Sequence, residues 1–114
     1  MDKPIFKLVI LPEADAFLES LAPAVLRKVF YNIDKVAGGV KDADLFKKLG
    51  DNDIWEFRTS WQGMAYRLFA FWDKDGETLV VATHGLMKKT QKTPKSEIKH
   101  AQAIRKEYFE TKDK

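Results

Sequence analysis

The sequence predicts an α+β fold, ordered strand, helix, helix, three-stranded antiparallel meander, helix, and three observations carry that expectation. Apolar residues recur at helical spacing through two stretches before residue 37. Two glycine-containing turn signals, Gln62-Gly63 and Asp75-Gly76, then divide a strand-rich middle. A last amphipathic stretch opens on Thr93-Pro94, a threonine suited to an N-cap before a proline suited to a first helical turn.

The elements follow in order. Ile5 to Leu11 is a short apolar run interrupted by Lys7 and bounded by Pro4 and Pro12, which reads as a strand near a sheet edge. A short helix begins near Glu13, whose charge with that of Asp15 suits a helix N-terminus, and puts Phe17, Leu18 and Leu21 on one face. Pro23 opens a longer helix carrying Val25, Leu26, Val29, Phe30, Ile33 and Val36, and Gly38-Gly39 ends it. Val40 to Asp53 is mostly polar, with Leu45, Phe46 and Leu49 as anchors, and reads as a loop with one short helical turn. Ile54 to Lys89 forms the meander. Ile98, Ala101, Ile104 and Tyr108 share a face of the final helix, and Thr111 to Lys114 are expected to fray. No repeat or linker divides the chain, so residues 1–114 are expected to form one domain.

Composition narrows the function classes. The chain has 114 residues, 45% of them hydrophobic, which allows one ordinary core without disulfides. Cysteine is absent, so thiolate zinc sites and cysteine nucleophiles are excluded, and two histidines with scattered acids make no spaced metal-ligand set. Neither a signal peptide nor a membrane span is read, and the expected location is the cytoplasm with no cofactor. Net charge is only +3, but Lys88 to Lys106 holds seven basic side chains against Glu97, a local charge of +6 that leaves −3 for the rest. Such a concentrated field suits a polyanion, although a solvated basic helix carries the same signal.

Turn chemistry selects the candidate site. If Gln62-Gly63 is a two-residue turn, Arg58 lies directly across from Arg67. If Asp75-Gly76 is another, Lys74 pairs with Glu77 and Arg67 lies across from His84. Lys88 then falls on the same face by strand alternation. Like charges placed directly opposite destabilise a sheet, so the row asks for an anion. That anion is either an RNA phosphate or Glu56, which shares the face and pairs diagonally with Arg67 in an inert patch. RNA brings its own nucleophile: attack by a ribose 2′-OH needs a proton acceptor, charge stabilisation on phosphorus oxygens and a proton for the leaving 5′-oxygen. Arg58 and Arg67 suit the charge role, His84 suits proton transfer, Glu56 is a candidate base or orienting residue, and Lys88, Lys89 and Lys92 suit neighbouring phosphates. His100 is given no chemistry, Arg105 sits at the edge of its helix's apolar face, and Trp61 is the aromatic placed to stack on a base.

Trp55-Glu56-Phe57-Arg58, Tyr66-Arg67-Leu68-Phe69, and the run His84-Gly85-Leu86-Met87-Lys88-Lys89-Thr90-Gln91-Lys92-Thr93-Pro94, followed by Glu97, Ala101 and Tyr108, resemble the phage-derived Gp49-like group of HigB toxins within the RelE/ParE superfamily. The resemblance runs from about Lys7 to Tyr108. It implies a twisted antiparallel sheet with two N-terminal helices on one side. It also implies a toxin of a type II toxin-antitoxin system that cleaves mRNA in the ribosomal A site. The implied partner is a co-encoded HigA-like helix-turn-helix antitoxin, with operator DNA bound only by the toxin-antitoxin complex. Family practice places catalysis on basic residues of the central strands, positions that Arg58, Arg67 and His84 occupy. Where some RelE-type toxins carry a tyrosine beside this position, none adjoins His84. Two other readings share these features: a ParE-like inhibitor of DNA gyrase, and a non-catalytic module that holds nucleic acid or an antitoxin.

Overall fold

The computed structural model describes residues 3–89 and 92–112, so Thr90 and Gln91 of the basic motif and the last two residues of the tail lie outside the described residues. The elements are β1 (Lys7–Ile10), α1 (Pro12–Glu19), α2 (Pro23–Ala37), β2 (Phe46–Lys48), β3 (Trp55–Trp61), β4 (Met64–Asp73), β5 (Leu79–Lys88) and α3 (Lys95–Lys112). They build one five-stranded sheet in the order β1-β5-β4-β3-β2. β1 is the expected edge strand, but it pairs with β5 in parallel, so the sheet is mixed rather than antiparallel throughout.

Alternation along the strands sorts the core into two clusters. Phe57, Leu68, Ala70, Val80 and Ala82 pack with Leu18 of α1 and Val25, Val29, Ile33 and Val36 of α2. The intervening residues Phe69, Phe71 and Val81 pack instead with Ala101, Ile98, Tyr108 and Phe109 of α3. Helix α2 takes Pro23 in its first turn, as the sequence predicts, and α1 opens in the same way on Pro12, one residue before its expected start near Glu13.

Four expectations need correction. Residues 40–53 contain the strand β2, which is too short for a periodic signal and is pinned by the Phe46 ring, stacked 4.3 Å from Phe57 and 4.8 Å from Trp55. Trp61 is partly buried against the α1/α2 cluster, so it is not the fully exposed aromatic its place at a hairpin tip suggests. Helix α3 continues to Lys112, whose ammonium donates to the buried Asp73 carboxylate at 2.6 Å, so residues 111 and 112 are tied down. The Thr93 hydroxyl is not spent on capping α3, because it donates to Glu56 at 2.8 Å.

Gly85 marks the closest approach between layers. A β-carbon at this position would lie 2.1 Å from the Phe17 ring, so only hydrogen lets α1 settle on β5. Gly85→Ala is expected to cost about 3 kcal/mol in urea unfolding, through overpacking. In a Phe17→Ala background the same substitution should cost far less, since the ring it strikes is gone. A loss below about 0.5 kcal/mol in the wild-type background would show that the layers adjust freely.

Candidate functional site

The first hairpin behaves as its turn chemistry dictates. Gln62 and Gly63 both hold positive φ, at 48° and 80°, which matches the right-handed twist of the flanking strands. Trp61 therefore pairs with Met64, and Arg58 stands directly opposite Arg67.

The second hairpin departs from expectation twice. Residues 74–78 form a longer connection, in which the Asp73 carboxylate accepts the Asp75 N–H at 3.1 Å, and the first pair is Asp73 with Leu79. That moves the register by one residue. A bulge then moves it by another, because Ala70 pairs with Ala82 while Phe69 pairs with His84, leaving Thr83 between them. Arg67 consequently faces Leu86, and His84 is not in the arginine row. Two odd shifts restore parity, however, so His84 keeps the predicted face and joins the neighbouring row of Glu56 and Phe69.

The anion between the arginines is Glu56. Its Oε1 lies 3.5 Å from the Nε of Arg58 and 3.5 Å from the Nε of Arg67. Its Oε2 accepts the Thr93 hydroxyl, which in turn accepts a hydrogen bond from Lys88 Nζ at 3.1 Å. The cluster is largely sealed: Arg67 is 1% exposed and Glu56 2%. Burial pushes the Arg67 pKa below its ordinary value and Arg58 adds to the effect, while Glu56 opposes it. Lys88 is lowered in the same way by burial, against the pull of Glu56. The side chain of Arg58 keeps 18% exposure, and its guanidinium also donates to the Ala43 carbonyl at 3.2 Å.

His84 forms a second polar group beside the first. Its Nε2 lies 2.9 Å from Glu97 Oε2, its Nδ1 lies 3.0 Å from the Thr83 hydroxyl, and Phe69 stacks on the ring at 4.8 Å. Burial lowers the His84 pKa, the Glu97 hydrogen bond works against that, and His100 lowers it further. The single Thr83 hydroxyl proton lies between the Phe69 carbonyl, at 3.3 Å, and His84 Nδ1. Edge-on to the His84 ring at 4.6 Å stands His100, itself 2.9 Å from Glu13 of α1.

Strand periodicity thus brings Glu56, Arg58, Arg67, His84 and Lys88 to one face, but Arg67 and His84 are covered rather than displayed. Lys89 and Lys92 are exposed and follow the end of β5. Arg105 turns away, with Nη2 at 3.6 Å from Asp53 and its guanidinium over the Phe109 ring. Sequence reasoning missed Glu97, Thr93 and His100 as parts of the site. The pair Glu97 and His100, three residues apart and hence neighbours on a helix face, was the available signal.

Fold class and charge arrangement together define a RelE-like α+β protein with a basic cluster on the sheet face beneath α3. Residues 16–106 match the model of the family "Phage derived protein Gp49-like (DUF891)", and the chain belongs to that family, a RelE/HigB-like toxin family. No curated protein matches the chain. Membership makes the protein toxin-like and implies an antitoxin partner in general terms. Among the described residues no helix is long and apolar enough to cross a membrane.

Proposed function

We propose that the protein is the toxin of a type II toxin-antitoxin system and acts in the cytoplasm as a metal-independent, ribosome-dependent mRNA endoribonuclease. The observation that supports it most is the Arg58–Arg67 pair on one sheet face with Lys88 close by, a cluster of cations gathered around Glu56. In this reading Arg58 and Lys88, the two that reach the surface, engage the scissile phosphate. Arg67 and Glu56 fix the guanidinium of Arg58 from beneath, and exposed Lys89 and Lys92 hold adjoining phosphates.

The reaction is a transesterification. The 2′-oxygen bonds to phosphorus and loses its proton to a base, the bond from phosphorus to the 5′-oxygen breaks, and that oxygen takes up a proton. The products are a 2′,3′-cyclic phosphate and a 5′-hydroxyl. Proton transfer is assigned to the His84–Glu97 pair, whose glutamate is 28% exposed and forms the open end. The partners of this reading are a HigA-like antitoxin and mRNA on the ribosome.

Mapping of mRNA ends in a purified translation system tests the reading. Cuts that need ribosomes and leave cyclic-phosphate and 5′-hydroxyl ends, the signature of attack by the 2′-oxygen, are expected. Intact mRNA under those conditions would end it. Burial of Arg67 and His84 is the observation that favours a binding-only toxin, for which growth arrest would persist with mRNA uncut and would survive His84→Ala.

A further inference from the structure

A groove of about 610 Å³ runs between the C-terminal end of α2, the segment that follows it and the β2 edge of the sheet. Its apolar lining includes Ile5, Val36, Val40, Phe46, Trp55 and Trp72, and Lys41, Lys47 and Lys48 border it. Ile5 and Val40 are 51% and 46% exposed, which is a large aliphatic surface to leave in water. The aromatic floor is rigid: Phe46 stacks on Trp55, and Trp55 meets Trp72 edge-on at 6.2 Å. Preformed apolar pockets of this kind lose little entropy when a partner's side chains enter.

We propose that this groove is the docking site for an acidic amphipathic segment of a protein partner, which, on the toxin reading above, is a segment of the antitoxin. Charge selects that occupant. The three bordering lysines are exposed and make no ion pair among the described residues, whereas the one acid of the lining, Asp42, already accepts the Asp44 N–H through its carboxylate. Carboxylates flanking an apolar stripe would meet Lys41 and Lys48, while Lys47, opposite Glu56 in the β2–β3 register, contributes from the rim. A second copy of this chain would bring the same lysines against themselves, so self-association is disfavoured. Single-stranded RNA fits poorly as well, because ring faces it would stack on are already occupied: Phe46 by Trp55 and Phe57, and Trp72 by Lys74 at 5.0 Å.

Trp55 and Phe57 alternate with Glu56 and Arg58 along β3, so the groove opens on the sheet face opposite the candidate catalytic cluster. Capture of the partner and RNA cleavage are therefore separable by substitution.

The test is an NMR titration of the isotope-labelled protein with a synthetic peptide carrying leucines at helical spacing and glutamates elsewhere. Its lysine counterpart and a short single-stranded RNA serve as comparison probes. The acidic peptide is expected to shift Val40 and the indole N–H signals of Trp55 and Trp72. Lys41→Glu/Lys48→Glu should weaken it by about tenfold or more while leaving mRNA cleavage at the wild-type rate. Equal binding of the lysine peptide, groove shifts produced by the RNA, or peptide shifts confined to the Arg58 face would each overturn the proposal. A wild-type protein that cleaves mRNA but ignores the acidic peptide sinks the docking site alone. One that binds the peptide but leaves mRNA intact sinks only the nuclease reading.

Discussion

Arg58→Ala is expected to lower ribosome-dependent cleavage by about 10² to 10³-fold, the usual cost of removing one preorganised donor from a developing phosphoryl charge. Stability should change little, because Arg58 is part-exposed and its loss leaves Glu56 beside Arg67 and Lys88. Arg58→Lys should recover only a fraction of the rate, since a point charge cannot reproduce the planar fork that grips two phosphate oxygens. Cleavage is read as the fraction of a defined message cut per unit time, with unfolding in urea followed in parallel. A rate within about threefold of wild type for Arg58→Ala would remove the residue from the chemistry.

Glu56→Gln acts on the same cluster with the opposite signature. The substitution keeps size and shape but deletes the charge that holds two guanidinium groups 3.5 Å away on either side. Arg67 is then buried against a like charge, and breaking a buried pair in this way costs about 3–5 kcal/mol. The loss should appear as a lower urea midpoint at unchanged slope. A loss under about 1 kcal/mol would show that water already screens the arginines.

The contrast between these variants explains what the sequence could and could not disclose. Gln62-Gly63 is a two-residue signal whose geometry depends on nothing distant, so the Arg58–Arg67 pairing was legible from it alone. Asp75-Gly76 resembles an equally local signal, yet the Asp73 carboxylate extends the turn, and Asp73 is itself held by Tyr108 and Lys112 from α3. A tertiary contact thus decides the register, which no reading of adjacent residues supplies. The Thr83 bulge has the same character, with the Thr83 hydroxyl facing the Phe69 carbonyl and His84 Nδ1. Burial was also hidden. Period two assigns Arg67 and His84 to a face, but coverage of that face depends on where α3 and Thr93 come to rest. β2 was missed because three residues carry no period, and its identity rests on the Phe46 ring finding Trp55 and Phe57.

The second hairpin carries an evolutionary consequence. Hairpin tips ordinarily absorb insertions and deletions with little effect on the strands behind them. The connection at 74–78 is such a tip, since residues can enter or leave it without disturbing the Asp73–Leu79 pair. The bulge at 83 extends the same tolerance into the strand, because removal of its extra residue would leave Ala82 opposite Ala70 and His84 opposite Phe69. Descendants of this chain can therefore differ in length between Asp73 and His84 while His84 and Lys88 keep their faces.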